Sequence, residues 1–171
     1  EVSGLVDILA LALSREVPKM QRDGVRLRFV GSREGLSARV KKGLEEAEAA
    51  TACNTALSLN VCFNYGGRWD IASAAARLAA EGTPITEVSL SNALSMAFCS
   101  DPDLVIRTGN EMRLSNFLLW QSAYSELYFS ELLWPDFDEA ALDAALSAYA
   151  ARERRFGKTS DQLAANTASK A

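Results

Sequence analysis

The sequence predicts an α/β fold with a mostly parallel central sheet flanked by helices, and three observations carry that expectation. Apolar residues recur at helical spacing in several segments, short strand-like runs stand between those segments, and a glycine turn joins one such run directly to a helix. With 171 residues, 49% of them hydrophobic and 23% charged, the chain is long enough for one domain with a sizeable core and unlike a collagenous or disordered chain.

Taken in order, the first element runs from Glu1 to about Gln21, where Val2, Leu5, Ile8, Leu9, Ala12 and Leu13 fall on one helical face. Pro18 is expected to kink or end its last turns. VRLRFVG, residues 25 to 31, alternates apolar and basic side chains, the period of a strand with one buried face. A second helix follows from Leu36 to about Cys53, and its charges Lys41, Lys42, Glu45, Glu46 and Glu48 are expected on the solvent side. LSLNVCFNY, residues 57 to 65, reads as a more deeply buried strand. It leads through GGR at 66 to 68 into a helix from about Trp69 to Ala80.

After the polar break EGTPITE comes a short helix from about Val88 to Phe98. Asp101 and Pro102 then turn the chain into the strand DLVIR. ELYF, residues 126 to 129, supplies another short strand, WPDF a rigid turn, and Asp138 the cap of a closing helix that reaches about Arg155. The tail from 158 to 171 is expected to fray.

The totals exclude several function classes. A net charge of -4 argues against a nucleic-acid binder with a broad basic face. The longest apolar run, LVDILALAL, is interrupted by Asp7 and falls well short of the roughly 20 residues that span a bilayer. The odd set Cys53, Cys62 and Cys99 has no metal-ligand spacing, which suggests buried thiols in a reducing, cytoplasmic compartment. Without histidine, neither a serine–histidine nor a cysteine–histidine nucleophile can be built, and transition-metal sites are disfavoured. The chain opens at Glu1, without methionine and already in a helical pattern, so the natural protein is expected to extend upstream with any targeting signal.

In an open parallel sheet the ligand crevice lies beyond the carboxyl ends of the strands, and two places qualify. At Asn64-Tyr65-Gly66-Gly67-Arg68 the paired glycines suit either a structural turn or a phosphate cradle. The other place begins at Arg107, which ends the apolar strand, with Arg113 and Ser115 beyond a loop containing Gly109. Two guanidinium forks with a hydroxyl between them suit a diphosphate, and ion pairs with Glu111, Asp101 or Asp103 would satisfy them too. Glu126 rises among Tyr124, Leu127, Tyr128 and Phe129, so its carboxylate needs a partner. Magnesium shared with phosphate oxygens and a salt bridge to one of the arginines both answer that need.

The strings NYGGRWDI, DPDLVIRTGNEMRLSNFLLWQSAYSELYF, LWPDF and RERRFG, in this order, resemble the successive signatures of the cis-prenyltransferase family, of the undecaprenyl diphosphate synthase-like type. The resemblance runs from Glu1 to about Gly157, making residues 1–157 the C-terminal two thirds of a single such domain and 158–171 a tail. It implies a homodimeric, magnesium-dependent enzyme that condenses isopentenyl diphosphate with an allylic diphosphate to form a cis-prenyl diphosphate. A lipid product further implies peripheral membrane association.

Residue by residue, the resemblance assigns Arg107, Arg113 and Ser115 to isopentenyl diphosphate and Glu126 to the magnesium ion. Arg155 and Gly157 match a C-terminal motif that reaches across the dimer to the partner's site, where the residues alone suggest a basic helix end stabilised by its dipole. Leu9, Leu13, Val25 and Leu57 match positions lining the family's product tunnel, with plain core packing the alternative. Asn116 and Trp120 are read as structural.

Four departures qualify this picture. Nothing matches the family's DGNGRWA-like segment with its catalytic aspartate, and its SENW-like loop would stand before Glu1, so the chain as given is not expected to act alone. Gly109-Asn110 replaces the serine–glycine or glycine–glycine of many relatives, and Met112 stands where some bacterial relatives have histidine. The stretch from Ala80 to Val88 is short, which leaves open a short-chain or irregular, branched synthase. The missing aspartate leaves open a noncatalytic accessory subunit.

Overall fold

Both strands and helices occur along residues 15–152, the part of the chain that this computed structural model describes. They divide into a unit ending at Phe98 and a unit beginning at Cys99. The first unit holds helical residues 15–22, strand β1 (Val25–Val30), helix α1 (Ala38–Thr51), strand β2 (Leu57–Cys62), helix α2 (Gly67–Ala80) and helix α3 (Glu87–Ala93). The second holds β3 (Leu104–Arg107), β4 (Glu126–Phe129), a 3-10 turn at Trp134–Asp136 and α4 (Glu139–Ala150). β1 and β2 pair parallel from Val25 opposite Leu57 to Val30 opposite Cys62. β3 and β4 pair parallel from Leu104 opposite Glu126 to Arg107 opposite Phe129. The α/β reading holds. Among the described residues no helix is long and apolar enough to cross a membrane.

The core of the first unit follows from the alternation on β1. Leu27 and Phe29 bury against Val40, Leu44 and Ala47 of α1, with Val17, Met20, Leu36, Val61 and Phe63 packed around them. Arg26 and Arg28 take the other face, where the Arg28 guanidinium lies 4.4 Å from the centre of the Phe98 ring. The strand's outer edge is closed by α1. The Leu27 amide donates to Thr51 Oγ1 (3.0 Å) and the Phe29 amide to Glu48 Oε1 (2.6 Å), so the edge offers no free amide at these positions. Ser37 caps α1 by accepting from the Val40 amide, and Asp138 caps α4 by accepting from the Ala141 amide (2.9 Å).

Several expectations are corrected. Glu48 does not join the solvent face of α1, because it is drawn inward to the Phe29 amide and to Arg33 at 3.3 Å. β2 is the more exposed strand of its pair, with Leu57 60% and Leu59 38% accessible, because α1 packs on β1 and leaves the start of β2 bare among the described residues. Cys53 and Cys99 are exposed and Cys62 half-buried, since they fall just past a helix end, in a bend and at a strand terminus. Helix continues past Pro18 to residue 22. α2 begins at Gly67, two residues before Trp69, and α3 ends at Ala93, five before Phe98. Residues 1–14 and 153–171, with most of the first helix and the tail, lie outside the described residues.

The ends of β1 and β2 meet closely. Gly31 has φ +140°, and a Cβ there would overlap the Phe63 carbonyl oxygen, so the position requires glycine. The turn after β2 does not use its glycines for the left-handed step. Asn64 takes it (φ 52°), its side-chain amide donating to the Ser32 carbonyl at 2.8 Å, while Gly66 stays extended as the cap of α2. Asp70, only 2% exposed, then ties this turn to the chain after α3. It accepts from the Tyr65 hydroxyl (2.9 Å), the Ser95 amide (2.9 Å) and the Ser95 hydroxyl (2.7 Å).

Thr51→Val keeps the shape of a side chain with no exposure but strands the Leu27 amide, so it should lower unfolding free energy by about 1–3 kcal/mol in urea titrations. An unchanged midpoint would refute the edge role. Asp70→Ala, which removes one acceptor from three donors, should cost at least about 2 kcal/mol, and Asp70→Asn less.

Candidate active site

Arg107 is the last residue of β3 and is half-buried. Beyond it the pairing with the β4 side continues as a loop. The Ser130 amide donates to the Arg107 carbonyl (2.7 Å), the Asn110 amide to the Ser130 carbonyl (3.0 Å), and the Gly109 amide to the Leu132 carbonyl (2.7 Å). Gly109 (φ 86°) and Asn110 (φ 55°) make the left-handed corner, which asparagine tolerates well because its short polar side chain can bond locally. The departure at Asn110 therefore leaves the turn intact.

The loop carries its functional groups outward. Arg113 pairs with Glu111, one of the partners that the sequence offered it, and its side chain is 67% exposed. Met112 beside it is exposed too. Ser115 (φ 48°), Asn116 (φ 64°) and Leu118 (φ 42°) are all left-handed, a conformation that costs roughly 1–3 kcal/mol at a non-glycine residue. Burial of Leu118 and a bond from the Ser122 amide to its carbonyl (2.9 Å) hold this strained stretch in place. The result is a half-buried Arg107 at the end of β3, followed by a loop in which Arg113 is ion-paired with Glu111 and Ser115 is exposed.

Glu126 is placed differently. Its register partner is Leu104, three residues before Arg107 and roughly 10 Å away along the strand. Its partner is an arginine, though neither of the two in the loop: Arg152 Nη1 donates to Glu126 Oε2 at 2.7 Å and to the Leu127 carbonyl at 3.0 Å. Within the strand pair, Arg107 stands at one end and Glu126 at the other, and the loop between them runs from one end back to the other. Among the described residues no three histidine, cysteine, aspartate or glutamate side chains gather to cage an ion. Magnesium is commonly held by one or two carboxylates plus substrate phosphates and water, and half-exposed, oxygen-only Glu126 fits that mode.

In the first unit, a cleft of about 580 Å³ lies beyond the ends of β1 and β2, lined by Ser32, Glu34, Cys62, Asn64, Tyr65, Gly66 and Trp69. These residues include no lysine or arginine, and the geometry of Asn64 and Gly66 serves the turn, which favours the structural alternative for GGR. Val25 and Leu57 are direct register partners at the start of their strands, with Leu57 mostly exposed. Leu9, Leu13, Arg155 and Gly157 lie outside the described residues. Two residues with large structural roles carried no separate signal in the sequence. Asp70 stands inside a quoted string, but its partner Ser95 lies 25 residues on, and Arg152 is 26 residues from Glu126.

Comparison with known proteins gives these residues a context. The prenyltransferase model described as undecaprenyl diphosphate synthase matches residues 1–157. An isoprenyl transferase of Neisseria gonorrhoeae is 53% identical over 164 residues, covering 95% of this chain and 66% of that protein. One from Chromobacterium violaceum is 55% identical, with 95% and 65% covered. The chain thus spans 65–66% of the length of these two relatives. A ditrans,polycis-undecaprenyl-diphosphate synthase of Pseudomonas aeruginosa, (2E,6E)-farnesyl-diphosphate specific, is 50% identical over 172 residues, covering 96% and 68%. Among solved structures, a probable undecaprenyl diphosphate synthase from Campylobacter jejuni superposes with a TM-score of 0.86 at 35% identity, covering 92% of this chain and 75% of that one. Lavandulyl diphosphate synthase from Lavandula x intermedia, in complex with dimethylallyl diphosphate, gives 0.85 at 33% identity, covering 92% and 72%. A match across residues 1–157, relatives at half identity and a shared fold together show that the chain belongs to the undecaprenyl diphosphate synthase family of prenyltransferases.

Proposed function

We propose that the protein is a cis-prenyltransferase that joins isopentenyl diphosphate to an allylic diphosphate and releases a longer cis-prenyl diphosphate. The observation behind this reading is Arg107 at the end of β3, followed by a strained loop that contains Arg113 and Ser115. In the reaction the allylic C1–O bond breaks, the diphosphate departs with the electron pair, and the alkene of isopentenyl diphosphate forms the new C–C bond. A proton leaves the carbon next to the resulting cation for the released diphosphate or water, and its C–H electron pair restores a double bond. The arginine forks and the serine hydroxyl hold the isopentenyl diphosphate so that its alkene faces the allylic carbon, converting a bimolecular encounter into a positioned one.

Glu126 would hold magnesium, which when bound offsets diphosphate charge. Val25 and Leu57, with Leu9 and Leu13, would line the hydrocarbon's path, where each methylene taken from water contributes about 0.8 kcal/mol. Exposed Leu132, Leu133, Trp134, Leu142 and Leu146 in the second unit support a homodimer, in which Arg155 and Gly157 would serve the partner's site. This reading assigns the protein to the cytoplasm, at the membrane surface where its lipid product goes.

A second reading, an irregular branched synthase, has the likeness to lavandulyl diphosphate synthase behind it. Identities of 50–55% to the bacterial enzymes, against 33% to that plant enzyme, favour regular elongation. An accessory role is disfavoured by the retained Arg107 and Arg113.

Incubation of the intact protein with radiolabelled isopentenyl diphosphate, magnesium and either farnesyl or dimethylallyl diphosphate should yield a series of longer prenyl diphosphates on chromatography. A single branched product would establish the second reading, and no product with either primer would sink both. Arg113→Ala should raise KM for isopentenyl diphosphate and lower kcat/KM about 10- to 150-fold, the equivalent of about 1.5–3 kcal/mol for a charge-assisted bond. Kinetics within twofold of the parent would remove Arg113 from the site.

A further inference from the structure

The contact between Arg152 and Glu126 has no place in the reaction as written above. α4 ends at Ala150, and Arg152 stands one residue beyond its cap, with its amide bonded to the Tyr149 carbonyl at 3.1 Å. From there the guanidinium reaches back to the first two residues of β4. One nitrogen, Nη1, meets both Glu126 Oε2 (2.7 Å) and the Leu127 carbonyl (3.0 Å). The side chains are 41% and 27% exposed, so the pair is neither a loose surface contact nor a sealed one.

A divalent cation seeking this carboxylate would meet a positive group already on one of its two oxygens. Magnesium binds oxygen donors and dehydrates reluctantly, and although Oε1 stays open to it, the guanidinium on Oε2 opposes its charge and takes up part of the carboxylate's donor capacity. We propose that Arg152 is a positioning residue whose charge, held on one oxygen of the Glu126 carboxylate, opposes a divalent cation there, so that Arg152 sets the cation affinity of that group. This rests on the reading of Glu126 as a metal ligand. The two contacts of Nη1 give the device its economy: when the carboxylate turns to a cation, the bond to the Leu127 carbonyl still holds α4 to β4.

The test is direct cation binding to the intact protein, followed by Mn²⁺ paramagnetic resonance as a stand-in for Mg²⁺, with no turnover required. Arg152→Gln removes the charge, and because its shorter amide does not reach as far as Nη1 toward the Leu127 carbonyl, thermal unfolding is measured alongside to follow the helix end. It should bind Mn²⁺ about two- to fivefold more tightly than the parent, the range set by a partly exposed ion pair. Arg152→Lys should return to the parent value, and Arg152→Gln combined with Glu126→Gln should lose the gain. A purely structural arginine would shift thermal stability and leave the isotherm in place. If Glu126→Gln weakens Mn²⁺ binding while Arg152→Gln leaves it unchanged or weaker, the proposal falls and the metal-ligand reading stands. If Glu126→Gln leaves binding unchanged, both fall.

Discussion

Parallel pairing is the constraint on which the rest of this structure depends. Two strands that run the same way cannot be joined by a tight turn, so each pair requires a crossover, and the carboxyl ends of both strands come to the same edge. The two units meet that requirement with different material. Between β1 and β2 the crossover is α1, an ordinary helix whose inner face supplies Val40, Leu44 and Ala47 to the core and whose polar residues Glu48 and Thr51 close the strand edge. Between β3 and β4 it is the irregular stretch 108–125, which contributes little regular structure. It is also where Arg113 and Ser115 lie.

That division of labour leaves the placement of Arg113 and Ser115 to an irregular stretch instead of a helix. Residues 1–98 carry eleven basic and eleven acidic side chains and residues 99–171 carry seven and eleven, so the whole net charge of -4 falls in the unit that holds Arg107, at the end of β3, and Arg113. Three left-handed residues within four positions, Ser115, Asn116 and Leu118, are an unfavourable choice for any loop whose only task is to connect. Burial of Leu118 holds them, and Ser115 is exposed. The first unit shows a milder version of the same arrangement, in which buried Asp70 spans from Tyr65 to Ser95 and fixes the turn after β2.

Much of the fold was legible because its determinants are local. Alternation of Arg26, Leu27, Arg28 and Phe29 announces a half-buried strand, ELYF marks β4 to the residue, and Asp138 signals the start of α4. The loop's cationic character, too, can be read from its letters. Where local reading failed, the cause was a partner distant in sequence. Glu48 looks like one more solvated charge until β1 lies beside it, and the run 57–65 looks buried because apolar content does not reveal which strand the helix will cover. The cysteines mislead for the same reason, since an apolar neighbourhood in sequence is not an apolar neighbourhood in space.

By itself, then, the sequence determined the order and kind of the elements, the family, and the identity of the groups available for chemistry, because periodicity, caps and motif strings are properties of neighbouring residues. Tertiary structure alone decided which groups meet. It put Val25 beside Leu57 and Arg107 beside Phe129 through strand register, and it gave Glu126 an arginine from 26 residues away in place of either arginine of the loop. Register and long-range ion pairs depend on how helices and strands close on one another in space, and no local pattern of letters encodes that closure.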